Sequence, residues 1–119
     1  MKHKVLVVDD DIDIVEPLSL ILQSKGYDVE TITKGQLVYA KIAAFKPDLL
    51  LLDILMSGSD GRDICKKLKH DKETRDLIIV MMSAHPSAEK DSYDACADAF
   101  IAKPFETENL LATLKEKLH

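Results

Sequence analysis

The sequence predicts an α/β fold in which helices cover both faces of a doubly wound, five-stranded parallel sheet. Short apolar runs alternate along the chain with segments whose apolar residues recur at helical spacing, which is typical of consecutive strand–helix units. Residues 5–8 and 49–52 are apolar without interruption, as expected of strands buried on both faces. Right-handed crossovers and short connections then give a doubly wound sheet, while periodicity alone leaves the strand order open.

The predicted elements follow one another in βα order along the whole chain. Strands are predicted at residues 4–8, 27–33, 49–52, 77–82 and 99–102. Helices are predicted at about 12–25, 36–45, 62–70 and 86–95, followed by a last helix with Leu110, Leu111, Leu114 and Leu118 on one face. Residues 56–61 are predicted as a turn.

Two of these helices carry signals of irregularity. Gly26 is placed to end the first helix, and Pro17 inside it predicts a kink or a late start of regular helix. The fourth helix offers little apolar surface, because its apolar content is only Ala88, Tyr93 and Ala95. We therefore expect it to be the element that moves most readily.

Length and charge limit the possible functions. A chain of 119 residues fits one domain, residues 1–119. The net charge of −5 has the wrong sign for binding a phosphate backbone, so direct nucleic-acid binding is disfavoured. No apolar stretch has the length of a membrane span and none resembles a signal peptide, so we expect a cytoplasmic protein without a membrane partner. Cys65 and Cys96 are expected to be buried or half-buried free thiols.

Each strongly apolar run ends at a residue suited to phosphoryl-transfer chemistry. The acids at 9–11 follow the first strand, Asp53 follows the third, Ser83 the fourth and Lys103 the fifth. The carboxyl ends of parallel strands lie at one edge of a sheet, where ligands of open α/β folds bind. We therefore expect carboxylates, a hydroxyl and an ammonium group to converge on one pocket.

The acids of this pocket need a counter-charge, because neighbouring carboxylates repel one another. Mg²⁺ is suited to such a site, since it takes one or two carboxylates, retains water and accepts phosphate oxygens. Asp9, Asp10 and Asp53 are predicted as its ligands, whereas Asp11 is predicted to cap the first helix. A carboxylate that forms an aspartyl-phosphate also needs a cationic or hydroxyl donor, and Lys103 and Ser83 supply these groups.

Five segments together resemble the receiver domain of two-component response regulators over the whole chain. They are residues 7–10, 51–56, 60–61, 82–84 and 102–105. The resemblance implies a flavodoxin-like sheet of strand order 2-1-3-4-5 with five helices. It implies phosphorylation of Asp53 by a sensor histidine kinase or a histidine phosphotransfer protein, and a chain that catalyses only its own phosphorylation and dephosphorylation.

The resemblance also implies a role for each site residue. Mg²⁺ is expected on Asp10, Asp53 and the backbone carbonyl of Leu55, with Asp9 acting largely through water. Ser83 and Lys103 are expected on the phosphoryl oxygens, with a cis bond before Pro104.

Switching and signal lifetime are expected from the same family geometry. Ser83 and Phe100 are the expected switch residues, and Leu55 and His85 are expected to set the lifetime of the phosphorylated state. A homodimer partner or an effector is expected to bind through the fourth helix, the fifth strand and the fifth helix.

The chain differs from the usual family pattern at two loops. Ser57 stands where the family usually has proline, which we expect to loosen that loop without removing a ligand. Cys96 stands where glycine is common, so a stiffer or differently shaped loop is expected before the fifth strand.

Two other functions fit parts of the acidic motif. A haloacid-dehalogenase-type phosphatase would use Asp9 as nucleophile and Asp11 as acid, but Asp13 stands where that motif needs Thr or Val. An EF-hand-like calcium loop starting at Asp9 would need a glycine at position 14 and an acid at position 20, where the chain has Ile14 and Leu20.

Overall fold

Five parallel strands form one sheet in the computed structural model, which describes residues 2–85 and 87–118. The strands are β1 (Lys4–Val8), β2 (Asp28–Ile32), β3 (Leu49–Asp53), β4 (Ile78–Ser83) and β5 (Ala99–Ala102). Their order is β2-β1-β3-β4-β5. The predicted fold class is therefore confirmed, and so is the strand order that the resemblance implies.

Five α-helices connect and follow the strands. They are α1 (Ile12–Ser24), α2 (Val38–Phe45), α3 (Gly61–His70), α4 (Ala88–Asp94) and α5 (Thr107–Lys117). A short 3₁₀ turn, Gly35–Leu37, precedes α2. Among the residues described, no helix combines the length and apolarity needed to cross a membrane.

The first helix starts where the chain leaves the acidic segment. Asp11 is its N-cap, and the Asp11 carboxylate accepts a hydrogen bond from the backbone N–H of Asp13 at 3.0 Å. The helix runs from Ile12 onward with Pro17 inside it, so it does not start late, and the alternative expectation of a kink at Pro17 stays a prediction. Gly26 follows the helix with a φ of 94°, a conformation that glycine adopts without steric cost.

Two apolar layers explain why the central strands are apolar at every position. Along β1, Leu6 and Val8 face one layer, while Val5 and Val7 face the other. The first layer packs against α2, α3 and α4, and the second packs against α1 and α5. A strand between two layers has no solvent-facing side, so its alternate residues are all apolar.

The fourth helix is shorter than predicted, and its buried residues differ in part from those expected. Residues 87–95 of the predicted segment are described, and the helix occupies Ala88–Asp94. Ala88 and Ala95 are buried, but Tyr93 is 48% exposed. Ser92 is buried instead, and its hydroxyl donates to the Ala88 carbonyl at 2.8 Å. A buried serine within a polar helix gives no signal in a pattern of apolar residues.

Both cysteines are free thiols, as predicted, but the expected burial is confirmed only for Cys65 and is wrong for Cys96. Cys65 is buried in the layer that contains α3, and burial raises the pKa of its thiol to about 11. Cys96 is exposed and has a φ of 73°, a left-handed conformation that costs a residue with a Cβ more than it costs glycine. The loop before β5 therefore has, at Cys96, the left-handed backbone conformation that glycine usually adopts.

The segment predicted as a turn contains a short β-hairpin. Leu55–Met56 pairs antiparallel with Ser59–Asp60, and Ser57 and Gly58 form the loop between them. Gly58 has a φ of 77° and Ser57 does not have a positive φ, which is the pattern of a type II turn. The hairpin joins the carboxyl end of β3 to the start of α3.

The start of α3 lies directly against the end of β3. The backbone N–H of Gly61 donates to the carbonyl of Ile54 at 2.7 Å. A Cβ atom at position 61 would lie 2.4 Å from the carbonyl oxygen of Asp53 and 2.9 Å from the Ile54 Cα. Only glycine allows this approach, so Gly61 fixes the backbone that presents Asp53.

We expect Gly61→Ala to lower the free energy of unfolding, because the new methyl group meets backbone that a rotamer change cannot move. Overpacking of this kind costs about 1–3 kcal/mol, more than the roughly 0.5–1 kcal/mol that alanine gains over glycine in a helix. Urea unfolding of the two proteins measures the difference. Lys66→Ala, at an exposed position of the same helix, is the control. Equal midpoints for Gly61→Ala and the wild type would contradict the close contact.

Candidate functional site

The strand register brings the predicted site residues to one edge of the sheet. Val8 pairs with Leu52, so Asp9 and Asp53 follow neighbouring positions on β1 and β3. Ser83 ends β4, pairs with Ala102 of β5 and is thus one strand away from Lys103. The predicted convergence of carboxylates, hydroxyl and ammonium at the carboxyl ends of the strands is observed.

Lys103 joins two of the carboxylates through its ammonium group. Its Nζ lies 2.6 Å from Asp9 Oδ2 and 3.2 Å from Asp53 Oδ1. All three side chains are largely buried, with exposed fractions of 14% for Lys103, 1% for Asp9 and 8% for Asp53. The peptide bond between Lys103 and Pro104 is cis, as the resemblance implies.

Two backbone N–H groups also donate hydrogen bonds to carboxylates of the acidic cluster. Asp9 Oδ1 accepts from the N–H of Asp11 at 3.0 Å. Asp10 is exposed, and its Oδ2 accepts from the N–H of Ser57 at 2.8 Å. The second contact links the acidic segment to the hairpin that follows β3.

Three carboxylates are close enough together to share one cation. Asp9, Asp10 and Asp53 each offer an oxygen, and these oxygens lie within 4.8 Å of one another. Carboxylate oxygen is the ligand type that Mg²⁺ prefers, and one exposed member leaves room for the water molecules that Mg²⁺ retains. The residues present therefore fit the predicted Mg²⁺ site.

The cluster carries excess negative charge, because three carboxylates face one ammonium group. Burial and the nearby Asp9 carboxylate raise the pKa of Asp53 from 3.8 to about 6, although Lys103 acts in the opposite direction. Burial alone would lower the pKa of Lys103, but its hydrogen bond to Asp9 and the nearby Asp53 carboxylate raise it overall. Lys103 is therefore a permanent cation at neutral pH.

Ser83 is buried beside this cluster. Its Oγ accepts a hydrogen bond from the N–H of His85 at 3.0 Å, and its carbonyl accepts from the N–H of Lys103 at 2.8 Å. Since Oγ is an acceptor in the first contact, its own proton is available for another acceptor. The part of the chain that the structure describes shows no hydrogen bond from Ser83 to Asp53.

The three remaining predicted residues differ in burial. Phe100 is half-buried and packs against the apolar layer that contains α4. Leu55 is 54% exposed in the hairpin, and His85 is exposed. The roles assigned to these three residues stay predictions.

Sequence reasoning missed the backbone donor of Ser57. Side-chain patterns identify Asp9, Asp10, Asp53 and Lys103, but a backbone N–H has no sequence signature. The available signal was the absence of proline at position 57, because proline is the residue that has no N–H to donate.

We expect Asp53→Asn to raise the melting temperature of the metal-free protein at about pH 7.5. Because the pKa of Asp53 is higher in the folded state, folded protein holds this proton between about pH 4 and pH 6 while unfolded protein has lost it. The free energy of unfolding therefore falls as pH rises through that range. The asparagine side chain of Asp53→Asn does not titrate, so this variant does not lose that stability.

Thermal unfolding in chelator at pH values between about 5 and 7.5 tests this expectation. The gain from Asp53→Asn should shrink toward the acidic end. Asp28→Asn, at an exposed position on β2, controls for the change in net charge. A gain from Asp53→Asn that is constant across the range would contradict the raised pKa.

Comparison with known proteins identifies the family. A model of the response regulator receiver domain matches residues 5–115. The phosphate regulon transcriptional regulatory protein PhoB of Pseudomonas aeruginosa is 36% identical over 118 residues, which cover 96% of this chain and 51% of that protein. The DNA-binding response regulator MtrA of Mycobacterium tuberculosis is 33% identical over 124 residues, covering 99% and 51% of the two chains. This chain thus spans about half the length of these relatives.

Solved structures agree with the sequence comparison. The chemotaxis response regulator CheY4 of Vibrio cholerae superposes with a TM-score of 0.91 at 32% identity, covering 99% of this chain and all of that one. A CheY-like receiver domain protein from Methanospirillum hungatei gives a TM-score of 0.90 at 31% identity, covering 99% and 94%. The chain therefore belongs to the family of response regulator receiver domains, the phosphoacceptor signalling domains of two-component systems.

Proposed function

We propose that Asp53 is the phosphoacceptor of this receiver domain, in a Mg²⁺-dependent reaction that changes the output surface. The observation that carries the proposal is the position of its carboxylate at the end of the central strand, between a cluster of acids and the ammonium of Lys103. Membership in the family implies a histidine kinase partner. The direct phosphodonor is either that kinase or a histidine phosphotransfer protein.

The hydrogen bonds favour Asp53 over Asp9 as the nucleophile. Asp9 has both oxygens occupied, one by the N–H of Asp11 and the other by Lys103 at 2.6 Å. Asp53 contacts Lys103 through Oδ1 at 3.2 Å, and within the described residues no hydrogen bond to its Oδ2 is found. The phosphatase alternative would need Asp11 as an acid, but the Asp11 carboxylate caps α1.

Asp9, Asp10, Asp53 and the backbone carbonyl of Leu55 are the groups that would hold Mg²⁺. The bound ion would neutralise charge on the transferring phosphoryl oxygens. Lys103 supplies a second positive charge, because its Nζ lies within reach of the Asp53 carboxylate. Ser83 donates its hydroxyl proton to another phosphoryl oxygen, while its Oγ keeps the contact with the His85 N–H.

Phosphorylation is proposed to move Ser83, Phe100 and α4 together. A phosphoryl group on Asp53 attracts the Ser83 hydroxyl, and the ring of Phe100 occupies the space that is vacated. The fourth helix buries only two of its own side chains, Ala88 and Ser92. The ion pair between Asp91 of α4 and Arg62 of α3, at 3.2 Å, is exposed, and exposed pairs contribute little stability.

The output surface is proposed to consist of α4, β5 and α5, which would bind a second copy or an effector. These 119 residues carry a net charge of −5, so direct contact with nucleic acid is not proposed for them. Some relatives are named as DNA-binding regulators, and this chain matches about half their length. The statement about nucleic acid therefore concerns these 119 residues alone. A catalytic role limited to its own phosphorylation and dephosphorylation, and a cytoplasmic location, stay predictions.

Asp53 should be the phosphorylated residue when the protein is incubated with Mg²⁺ and acetyl phosphate. We expect the intact mass to increase by one phosphoryl group in the wild type and not in Asp53→Asn. Asp11→Asn, which alters an acid of the same segment that caps α1, is the control and should still be phosphorylated. Phosphorylation of Asp53→Asn at the wild-type rate would refute the assignment.

Leu55→Asn should shorten the lifetime of the phosphorylated state. An apolar side chain at this position cannot orient water for in-line attack, whereas an amide can, and the backbone carbonyl is the same in both proteins. Loss of the phosphoryl mass after removal of acetyl phosphate measures the lifetime. Mg²⁺ affinity should change little. If Leu55→Asn loses phosphate no faster than the wild type, His85→Ala is the next variant to measure.

A further inference from the structure

We propose that the backbone N–H of Ser57 positions the Asp10 carboxylate for the divalent cation. This inference rests on the proposed function, because it concerns how the Mg²⁺ site is organised. Ser57 N donates to Asp10 Oδ2 at 2.8 Å across 47 positions of sequence. Ser57 is thus a positioning residue, and it acts through its backbone rather than through its hydroxyl.

Asp10 needs such a contact more than the other two acids do. Asp9 and Asp53 are buried and tied to Lys103, whereas Asp10 is exposed. Within the described chain, the contact with Ser57 is the one hydrogen bond found to the Asp10 carboxylate. With Oδ2 held by Ser57, Asp10 still has an oxygen within 4.8 Å of oxygens of Asp9 and Asp53. The contact therefore fixes Asp10 in the geometry that a shared cation requires.

Asp10 also has space to leave that geometry. Together with Ser57 it borders an open cleft whose other walls are Thr33, Lys34, Gln36 and Leu37. Without the N–H of Ser57, the Asp10 side chain has room to rotate into this cleft. Binding a cation would then require the carboxylate to be ordered again, at a cost in affinity.

The turn at Ser57 allows the N–H to be removed without rebuilding the hairpin. Ser57 is the second residue of a turn whose third residue, Gly58, has a φ of 77°. Proline is favoured at the second position of a type II turn, and the preceding Met56 is in an extended strand that tolerates a following proline. Ser57→Pro thus replaces the donor by a ring carbon, whereas Ser57→Ala keeps the donor and removes only the hydroxyl.

Mg²⁺ titration of the two variants and the wild type tests the inference. Binding is measured by calorimetry, and by the rise of melting temperature with added MgCl₂. We expect Ser57→Ala to bind as the wild type does. Ser57→Pro should bind more weakly by a factor on the order of ten, the lower end of losses when a hydrogen bond to a metal ligand is removed.

The melting temperature in chelator separates positioning from a general disturbance of the hairpin. Proline suits the turn but removes the hydrogen bond to Asp10, so these two effects on stability oppose each other, and Ser57→Pro should unfold cooperatively without metal at a temperature close to that of the wild type. If its Mg²⁺ affinity equals that of the wild type, or if Ser57→Ala loses as much affinity, the inference is wrong. If the wild type itself does not bind Mg²⁺, the proposed function fails instead.

The amide proton of Ser57 gives a readout that needs no metal. In nuclear magnetic resonance spectra of the metal-free protein, Asp10→Ala should shift this proton upfield, because its carboxylate acceptor is lost. Asp13→Ala, an exposed position on α1, is the matched control and should leave it in place. A Ser57 amide that does not respond to Asp10→Ala would overturn the contact on which the inference depends.

Discussion

The ion pairs of Lys103 with Asp9 and Asp53 are the interaction on which the site depends. They join the ends of β1, β3 and the segment after β5, in a region where all three side chains are largely buried. Two buried carboxylates without a cation would repel each other and lose hydration. If Lys103 were removed, the buried carboxylates of Asp9 and Asp53 would have no counter-charge. The ammonium group of Lys103 therefore holds the two acids together in the absence of a metal ion or a phosphoryl group.

The sheet determines where these charges meet. Because β1, β3, β4 and β5 are parallel and in register, a polar residue at the end of each apolar run reaches the same edge. The strand ends can be predicted from the sequence, since a strand buried on both faces is apolar at every position and ends where the apolar run ends. Asp9, Asp53, Ser83 and Lys103 could therefore be predicted as one site before the fold was known.

The parts that could not be predicted depend on backbone atoms and on residues distant in sequence. Residues 56–61 have the composition of a turn, yet residues 55–60 form a hairpin, and the N–H of Ser57 in its loop donates to Asp10. Gly61 is needed because α3 lies against the Asp53 carbonyl, and that contact exists only in the folded chain. Where the family usually has proline, Ser57 supplies a hydrogen bond that proline lacks, and the expected loosening of this loop stays a prediction.

Charge balance explains why one site needs both a fixed ammonium and a divalent cation. Three carboxylates and Lys103 leave two negative charges at the edge of the sheet. Burial is the main cause of the raised pKa of Asp53, and the neighbouring Asp9 carboxylate adds to it, because a proton on Asp53 reduces the local negative charge. A divalent cation would balance it fully and favour the ionised form of Asp53, which is the form that the proposed phosphoryl transfer requires. In the proposed reaction, the cation charge that keeps Asp53 ionised would also stabilise the phosphoryl group on it.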